Sequence, residues 1–260
     1  MKILLTNDDG IHAKGLATLH DAVADLGTIT VVAPEQEMSA TAHSITMTHP
    51  LRAKQISRNG SPWGLAVNGT PSDAAKLALT ALMPEKPDLV ISGINQGINT
   101  GLAAIYSGTV SAASEGSFVG IPSMAISLAS RHHDDFIPAA KIARALATRL
   151  FNNNDLLRRF SLLNVNVPPL PLESMKGFRI TRQGMGGFRD AYEKREDPRG
   201  REYFWLDGSG FQIEEDEHAD DFAVKSGYVT ITPLRFDLTD FQMIDSVTTW
   251  LSDLHPEDIK

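Results

Sequence analysis

Ile3-Leu4-Leu5-Thr6-Asn7-Asp8-Asp9-Gly10 begins the pattern that decides the fold, and Gly27-Thr28-Ile29-Thr30-Val31-Val32-Ala33-Pro34 completes its first unit. Residues 3–6 are a short apolar run that ends in a turn sequence, as a buried strand does. Leu16, Leu19, Val23 and Leu26 then recur at helical spacing, and Gly27 supplies a C-terminal stop. Residues 29–33 form the next strand, so the segment reads as a βαβ unit. Working outward, Asp73 is predicted as the N-cap of a helix carrying Ala74, Leu77, Ala78 and Leu82. A strand over residues 88–92 follows. The alternation continues with a helix over 109–118, a strand over 123–127, a helix over 138–151 and a strand over 161–167. Repeated alternation with both faces apolar predicts an α/β fold built on a doubly wound, mainly parallel sheet.

After Pro168-Pro169 the pattern changes, because helical periodicity disappears and short strand-like runs alternate with Gly-rich or charged segments. Residues 1–170 are accordingly predicted as the core, and 171–260 as an appended part of the same integrated domain. Residues 178–222 read as a projecting hairpin. Gly227-Tyr228-Val229-Thr230-Ile231-Thr232-Pro233 is a β-branched strand, and Phe241, Ile244, Val247, Leu251 and Leu254 space a final amphipathic helix. A hairpin and a terminal helix are common exchange elements, which predicts a homo-oligomer.

Bulk properties exclude several function classes. A chain of 260 residues, 42% of them hydrophobic, buries a substantial core. The net charge of -8 and the lack of any Lys/Arg-rich run argue against a duplex nucleic acid partner. With no cysteine, disulfides, thiolate metal sites and cysteine nucleophiles are excluded. The first apolar run is too short for a signal segment, and nowhere do about 20 apolar residues follow one another. The expectation is a cytoplasmic protein with no membrane partner.

In an open parallel sheet, ligands bind beyond the carboxyl ends of the strands. Those ends are rich in oxygen here: Asp8-Asp9-Gly10 after the first strand, Glu35-Gln36-Glu37-Met38-Ser39 after the second, and Gly93-Ile94-Asn95-Gln96-Gly97-Ile98-Asn99 after the strand ending at Ser92. Two carboxylates, a hydroxyl and a side-chain amide are hard donors, suited to Mg²⁺ or Mn²⁺, with Ca²⁺ also accommodated. Alone, Asp-Asp-Gly is more simply an Asx-turn and helix cap. Two adjacent acids at a strand end repel each other, however, and a dication removes that penalty. Tyr106-Ser107-Gly108-Thr109-Val110 opens a helix with small donors, whose N–H groups and dipole would face an anion, although such a segment is also an ordinary N-cap. No Lys or Arg occurs between Lys86 and Arg131, so phosphate held there is expected to need backbone donors and a metal.

The signatures of P-loop, dinucleotide, nucleophile-elbow and zincin chemistry are missing, as is Asp-x-Asp-x-Thr. His12 and His43 are candidates for acid or base, and Asn164 and Asn166 read as structural, forming loop hydrogen bonds. Glu214-Glu215-Asp216-Glu217 reads as a solvated face.

These motifs resemble those of the stationary-phase survival protein SurE family of 5'/3'-nucleotidases. Ile3-Leu4-Leu5-Thr6-Asn7-Asp8-Asp9-Gly10-Ile11 is similar to the family's first motif, and Asn68-Gly69-Thr70-Pro71-Ser72-Asp73 to its Gly-Thr-Pro-x-Asp motif. Ser92-Gly93-Ile94-Asn95, Asn99-x-Gly101 and Tyr106-Ser107-Gly108-Thr109-Val110 through Glu115-Gly116 resemble its third block, and residues 227–234 its late strand. The resemblance implies a Rossmann-like core with a projecting hairpin and an exchanged C-terminal segment, assembled as a homodimer or homotetramer. It also implies hydrolysis of nucleoside 5'- and 3'-monophosphates, with short polyphosphate as a further substrate. By position, one divalent ion falls to Asp8, Asp9, Ser39 and Asn95. Where many relatives carry an acid before the Tyr-Ser-Gly-Thr block, this chain has Gly101-Leu102-Ala103-Ala104-Ile105, a departure that bears on substrate preference.

The expected mechanism is in-line attack on phosphorus by water. Asp8 or Asp9 takes a proton, and Asn95, Asn99, Ser107, Gly108 and Thr109 position the phosphate. Direct water attack and a transient nucleophile are both open. A noncatalytic nucleotide- or anion-binding sensor module is the alternative from another class, and a metal-dependent esterase acting on other substrates is a second enzymatic one.

Overall fold

The computed structural model describes residues 1–152, 162–188, 191–207 and 210–255. In chain order the strands are β1 (Lys2–Thr6), β2 (Thr28–Pro34), β3 (Ala53–Arg58), β4 (Ser61–Val67), β5 (Leu89–Gln96), β6 (Ser123–Leu128), β7 (Leu162–Val167), β8 (Phe178–Ile180), β9 (Gly187–Phe188), β10 (Ala191–Glu196), β11 (Glu202–Asp207), β12 (Phe211–Gln212) and β13 (Val229–Leu234). The helices are α1 (Lys14–Val23), α2 (Pro71–Leu77), α3 (Ala103–Tyr106), α4 (Gly108–Phe118), α5 (Ile137–Phe151), α6 (Asp220–Lys225) and α7 (Ile244–Trp250).

Nine strands make one sheet in the order β3-β4-β2-β1-β5-β6-β7-β13-β8. β1 pairs in parallel with β2 on one side and with β5 on the other, and β6 and β7 continue the parallel run. The order reverses at β1, so the sheet is doubly wound and its switch point lies beyond the ends of β1 and β5. Ile3, Leu4 and Leu5 are fully buried, because β1 is covered on both faces. Each such side chain contributes about 1.5–3 kcal/mol through burial. The α1 and α5 helices pack together over one face, and α2 and α4 over the other. The separate apolar clusters around Leu16, Leu19 and Ile142, and around Leu4, Val32 and Val90, follow from that division.

Several local expectations change. Thr70, not Asp73, is the N-cap of α2: its hydroxyl accepts from Asp73 N, and the Asp73 carboxylate accepts from Thr70 N, a reciprocal capping box that puts Asp73 one turn in. β5 runs four residues past Ser92 and takes Asn95 with it, because Asn95 and Gln96 resume pairing with Ser127 and Leu128 after a bulge. Ser161, the predicted start of β7, lies outside the described residues.

Beyond residue 170 the predicted hairpin is narrower than residues 178–222. β8 joins the main sheet in parallel with β13, which itself pairs antiparallel with β7. The boundary at 170 therefore cuts through the sheet. The stalk is β9 with β12, the arm is β10 with β11, and residues 189, 190, 208 and 209 of the predicted hairpin lie outside the described set. α6 was not predicted: its six residues are too few to display a helical period. The predicted terminal helix is present as α7, with Phe241, Ile244, Val247, Leu251 and Leu254 all exposed. Residues 256–260 lie outside the described set.

Candidate functional site

The Asp8 and Asp9 side chains leave β1 at the switch point and border a cavity of about 450 Å³. The same cavity is lined by Ser39, Asn95, Asn99 and Ser107, so six of the eight sequence-predicted site residues converge. Gly108 and Thr109 lie directly behind it. A Cβ on Gly108 would stand 2.8 Å from Asp8 Cβ and 2.9 Å from Pro71 Cγ, so only glycine lets α4 approach the acid this closely.

Thr109 serves Asp8 and not the cavity. Its hydroxyl donates to Asp8 Oδ1 at 2.5 Å, across 101 residues of chain. The Thr109 side chain is thus engaged by Asp8 at the α4 N-terminus. Ser107 caps α4, accepting from Val110 N at 3.1 Å.

Backbone bonds hold the other elements around the acids. Met38 N donates to Asp8 O, which draws the segment bearing Glu37 and exposed Ser39 over the end of β1. Ser39 Oγ donates to Glu37 Oε1 at 2.6 Å, and Gln96 N donates to Asp9 Oδ2 at 3.2 Å. Asn95 Nδ2 donates to Gly97 O, which fixes the amide and leaves its oxygen as the remaining polar atom. The Asn99 peptide is clamped, its N–H donating to Asn166 Oδ1 while Asn164 and Asn166 Nδ2 both donate to its carbonyl. Asn164 and Asn166 thus form the loop hydrogen bonds expected of them, and their bonds position a cavity residue. The Asn99 amide itself donates to Ser127 Oγ at 2.8 Å.

Burial pushes the Asp8 carboxyl above the usual carboxylate range, against the hydrogen bonds from Thr109. Asp9 is raised too, first by burial and then by the charge of Asp8 beside it. Neither acid has a Lys or Arg partner among the described residues. An unpaired, partly desolvated acid pair facing a polar cavity is costly, and a divalent cation relieves that cost. Among the described residues no group of three or more His, Cys, Asp or Glu is placed to hold an ion. Any ion here must therefore draw on neutral oxygens, and Ser39, Asn95, Asn99 and Ser107 are lining residues that carry them. The donor set fits a hard divalent metal.

Among the lining residues that sequence reasoning did not assign to the site are Glu37, Tyr106, Arg131 and Phe188. Arg131 corrects the expectation that no cation reaches the site. It stands three residues beyond β6, a strand end that should have been inspected like the others. Phe188 comes from β9, and nothing in the local sequence announces that the hairpin stalk returns to the sheet. His12 and His43 are not among the lining residues. His43 Nε2 is hydrogen-bonded to Glu115 Oε1 at 2.8 Å and its ring stacks on Phe118, at the far end of α4. The acidic run at 214–217 is not merely solvated, since Glu214 and Asp216 both pair with Arg182.

The sequence and the fold both have close counterparts. A sequence model of the family described as survival protein SurE matches residues 3–190. The protein named 5'-nucleotidase SurE in Desulforudis audaxviator is 48% identical over 253 residues, covering 96% of this chain and 97% of its own. The protein of that name in Gloeobacter violaceus is 50% identical over 247 residues, covering 92% and 91%. Among solved structures, the SurE protein from Aquifex aeolicus superimposes with a TM-score of 0.83 at 38% identity, covering 97% of this chain and all of that one.

Proposed function

The chain belongs to the survival protein SurE family, and on that premise we propose that the cavity beyond β1 is the catalytic site of a metal-dependent 5'-nucleotidase. It hydrolyses nucleoside 5'-monophosphates to nucleoside and phosphate, with 3'-monophosphates and short polyphosphate as further substrates. The observation that carries this reading is the acid pair at the sheet's switch point, buried Asp8 and half-buried Asp9, which has no Lys or Arg partner among the described residues.

One divalent ion, Mg²⁺ or Mn²⁺, is assigned to Asp8, Asp9, Ser39 and Asn95. When bound, such an ion supplies charge neutralisation to the phosphoryl oxygens and acidifies water. Thr109 holds Asp8 Oδ1, so Asp9 is the freer carboxylate to accept a proton from the attacking water. Asn99 is fixed by Asn164, Asn166 and Ser127, and this holds the loop after β5 rigid beside the phosphate position. Ser107 and, behind it, the backbone of Gly108 and Thr109 are assigned to the phosphate position, and Arg131 is the one cationic residue among the lining residues.

The test is phosphate release from a panel of nucleoside monophosphates with Mg²⁺, Mn²⁺ or a chelator. Asp8→Asn and Asp9→Asn should each reduce turnover at least 100-fold, on the order of one lost charge-stabilising group. Full turnover under chelation, or in Asp8→Asn, sinks the assignment. Binding of monophosphates without release would identify a sensor module instead.

We further propose a homodimer or homotetramer formed by exchange of the C-terminal segment, which is supported by the exposure of Phe241, Ile244, Trp250 and Leu251. Light scattering on the purified protein tests it, and a monomer at micromolar concentration refutes it. No helix of the described residues is long and apolar enough to cross a membrane. A cytoplasmic site of action is proposed, to be checked by cell fractionation.

A further inference from the structure

Between β2 and β3 the chain runs from residue 35 to residue 52 without a helix or strand, and this stretch brings Ser39 to the cavity that the acid pair borders. Connections this long without secondary structure are uncommon in a compact domain and usually serve function. Its backbone is not relaxed. Ala40 has φ of 54° and Ala42 has φ of 50°, left-handed conformations in which a Cβ is unfavourable and glycine is the usual occupant. Among the described residues the one other non-glycine case is Asn59, a residue type that tolerates this region, in the turn between β3 and β4. Two strained alanines next to a cavity residue persist only where surrounding contacts overdetermine them.

The span that holds Ser39 is pinned at both ends by backbone, since Met38 N donates to Asp8 O at 2.8 Å and Ala42 N donates to Tyr106 O at 3.1 Å. Side chains of α2 and α4, and the cap of α2, then hold the residues that follow. His43 Nε2 is bonded to Glu115 Oε1 at 2.8 Å, and Ser44 O accepts from Thr70 Oγ1 at 2.7 Å. Thr46 donates twice to Asp73, from N to Oδ1 at 2.9 Å and from Oγ1 to Oδ2 at 2.6 Å. Thr70 and Asp73 belong to the Gly-Thr-Pro-x-Asp motif, which the metal and phosphate assignments leave without a role. Their capping box uses Thr70 Oγ1 and Asp73 Oδ2 as acceptors, so the Thr70 hydroxyl proton and Asp73 Oδ1 are left to hold the loop. Ser39 Oγ gives its own proton to Glu37 and keeps lone pairs for an ion. We infer that Thr70, Asp73 and Glu115 form a dock for residues 43–46, and that His43 and Thr46 are positioning residues for Ser39. Seated in the dock, they keep Ala40 and Ala42 left-handed and so fix where the Ser39 hydroxyl stands in the cavity. The inference rests on the metal-site reading for the part Ser39 plays, and it gives the Gly-Thr-Pro-x-Asp motif a task at that site.

The experiment uses the full chain without substrate and has two arms. Amide hydrogen exchange over residues 38–46 is measured in chelator, and Mn²⁺ binding is followed by the electron paramagnetic resonance of the free ion. Thr46→Val removes one donor at nearly constant volume, and His43→Ala removes the other side chain. Each should speed exchange over residues 38–46 roughly tenfold, the low end for a lost hydrogen bond to a charged group. Each should also raise the Mn²⁺ Kd roughly tenfold, the low end for a partner that orients a metal-binding group, and Thr46→Ser should restore both readouts. Coupling separates positioning from general loosening. In a Ser39→Ala background, Thr46→Val should leave the Mn²⁺ Kd where Ser39→Ala alone puts it, because no hydroxyl remains to be positioned. Unchanged exchange or unchanged affinity in either Thr46→Val or His43→Ala overturns the inference, and so does an equal loss of affinity with and without the Ser39 hydroxyl. A parent chain that binds no Mn²⁺ refutes the metal site instead, and the exchange arm, which contains no metal, still decides whether the dock holds the loop.

Discussion

Replacing Thr109 by Val removes one hydroxyl and almost no volume, and that hydroxyl is the donor holding Asp8 Oδ1 at 2.5 Å. A hydrogen bond to a charged group is worth about 1.5–3 kcal/mol, which at 1.36 kcal/mol per decade is a factor of about 10–150. A partner that orients a metal-binding side chain carries a similar weight, typically about 10–100-fold in metal affinity. Thr109 does not line the cavity, so the loss should fall on the ion's carboxylate and not on the phosphate. The expected outcome is that the Mn²⁺ concentration giving half-maximal phosphate release rises about 10–100-fold, with kcat at saturating Mn²⁺ within a few-fold of the parent. Thr109→Ser, which retains the hydroxyl, should restore most of the metal midpoint. An unshifted midpoint combined with a large fall in kcat would refute the reasoning, because it would place the hydroxyl on the phosphoryl group.

Three further outcomes are expected. Gly101 has φ of 53° and a Cβ there would fall 2.2 Å from Gly186 O, so Gly101→Ala should destabilise the chain by about 1–3 kcal/mol or more in urea unfolding. An effect within 0.5 kcal/mol would mean the two loops separate freely. Thr70→Ala removes the capping box and leaves Ser44 O without its hydroxyl donor, and should cost about 1–2 kcal/mol by the same measurement. No change would show the cap to be redundant. Burial raises the buried Glu115 carboxyl, but hydrogen bonds from His43 and Lys76 outweigh it and leave it below the ordinary Glu range. Its stabilising contribution is therefore present above about pH 4.3 and lost as pH falls below that, so the Tm gap between the parent and Glu115→Gln should narrow from pH 7 to pH 4. A gap independent of pH would refute the ionic role.

The βαβ core was legible because its strands are buried on both faces and its helices are amphipathic, so residues 3–6 and 29–33 declare themselves by composition alone. The acid pair was legible for a similar reason, since the end of a central parallel strand is a privileged position. What escaped notice depends on contacts between distant segments. Phe188 lies on a two-residue strand that pairs with Phe211, and neither carries a periodic signal. The roles within the Ser-Gly-Thr block were equally hidden, because whether Thr109 faces the cavity or Asp8 depends on how closely α4 packs against β1. Arg131 is the instructive miss, since the strand-end rule that found Asp8 and Asn95 covers it as well.

Asp8 sits 101 residues from the hydroxyl that steadies it, with consequences for how the molecule assembles. Closing so long a loop is entropically slow, so the first βαβ unit can form while its two acids still face water. The carboxylates lose their hydration only when α4 docks, and an ion that favours that docked arrangement has nothing complete to grasp earlier. Such a ligand acts as a latch on the finished structure: it lengthens the lifetime of the native state and leaves the speed of reaching it nearly unchanged.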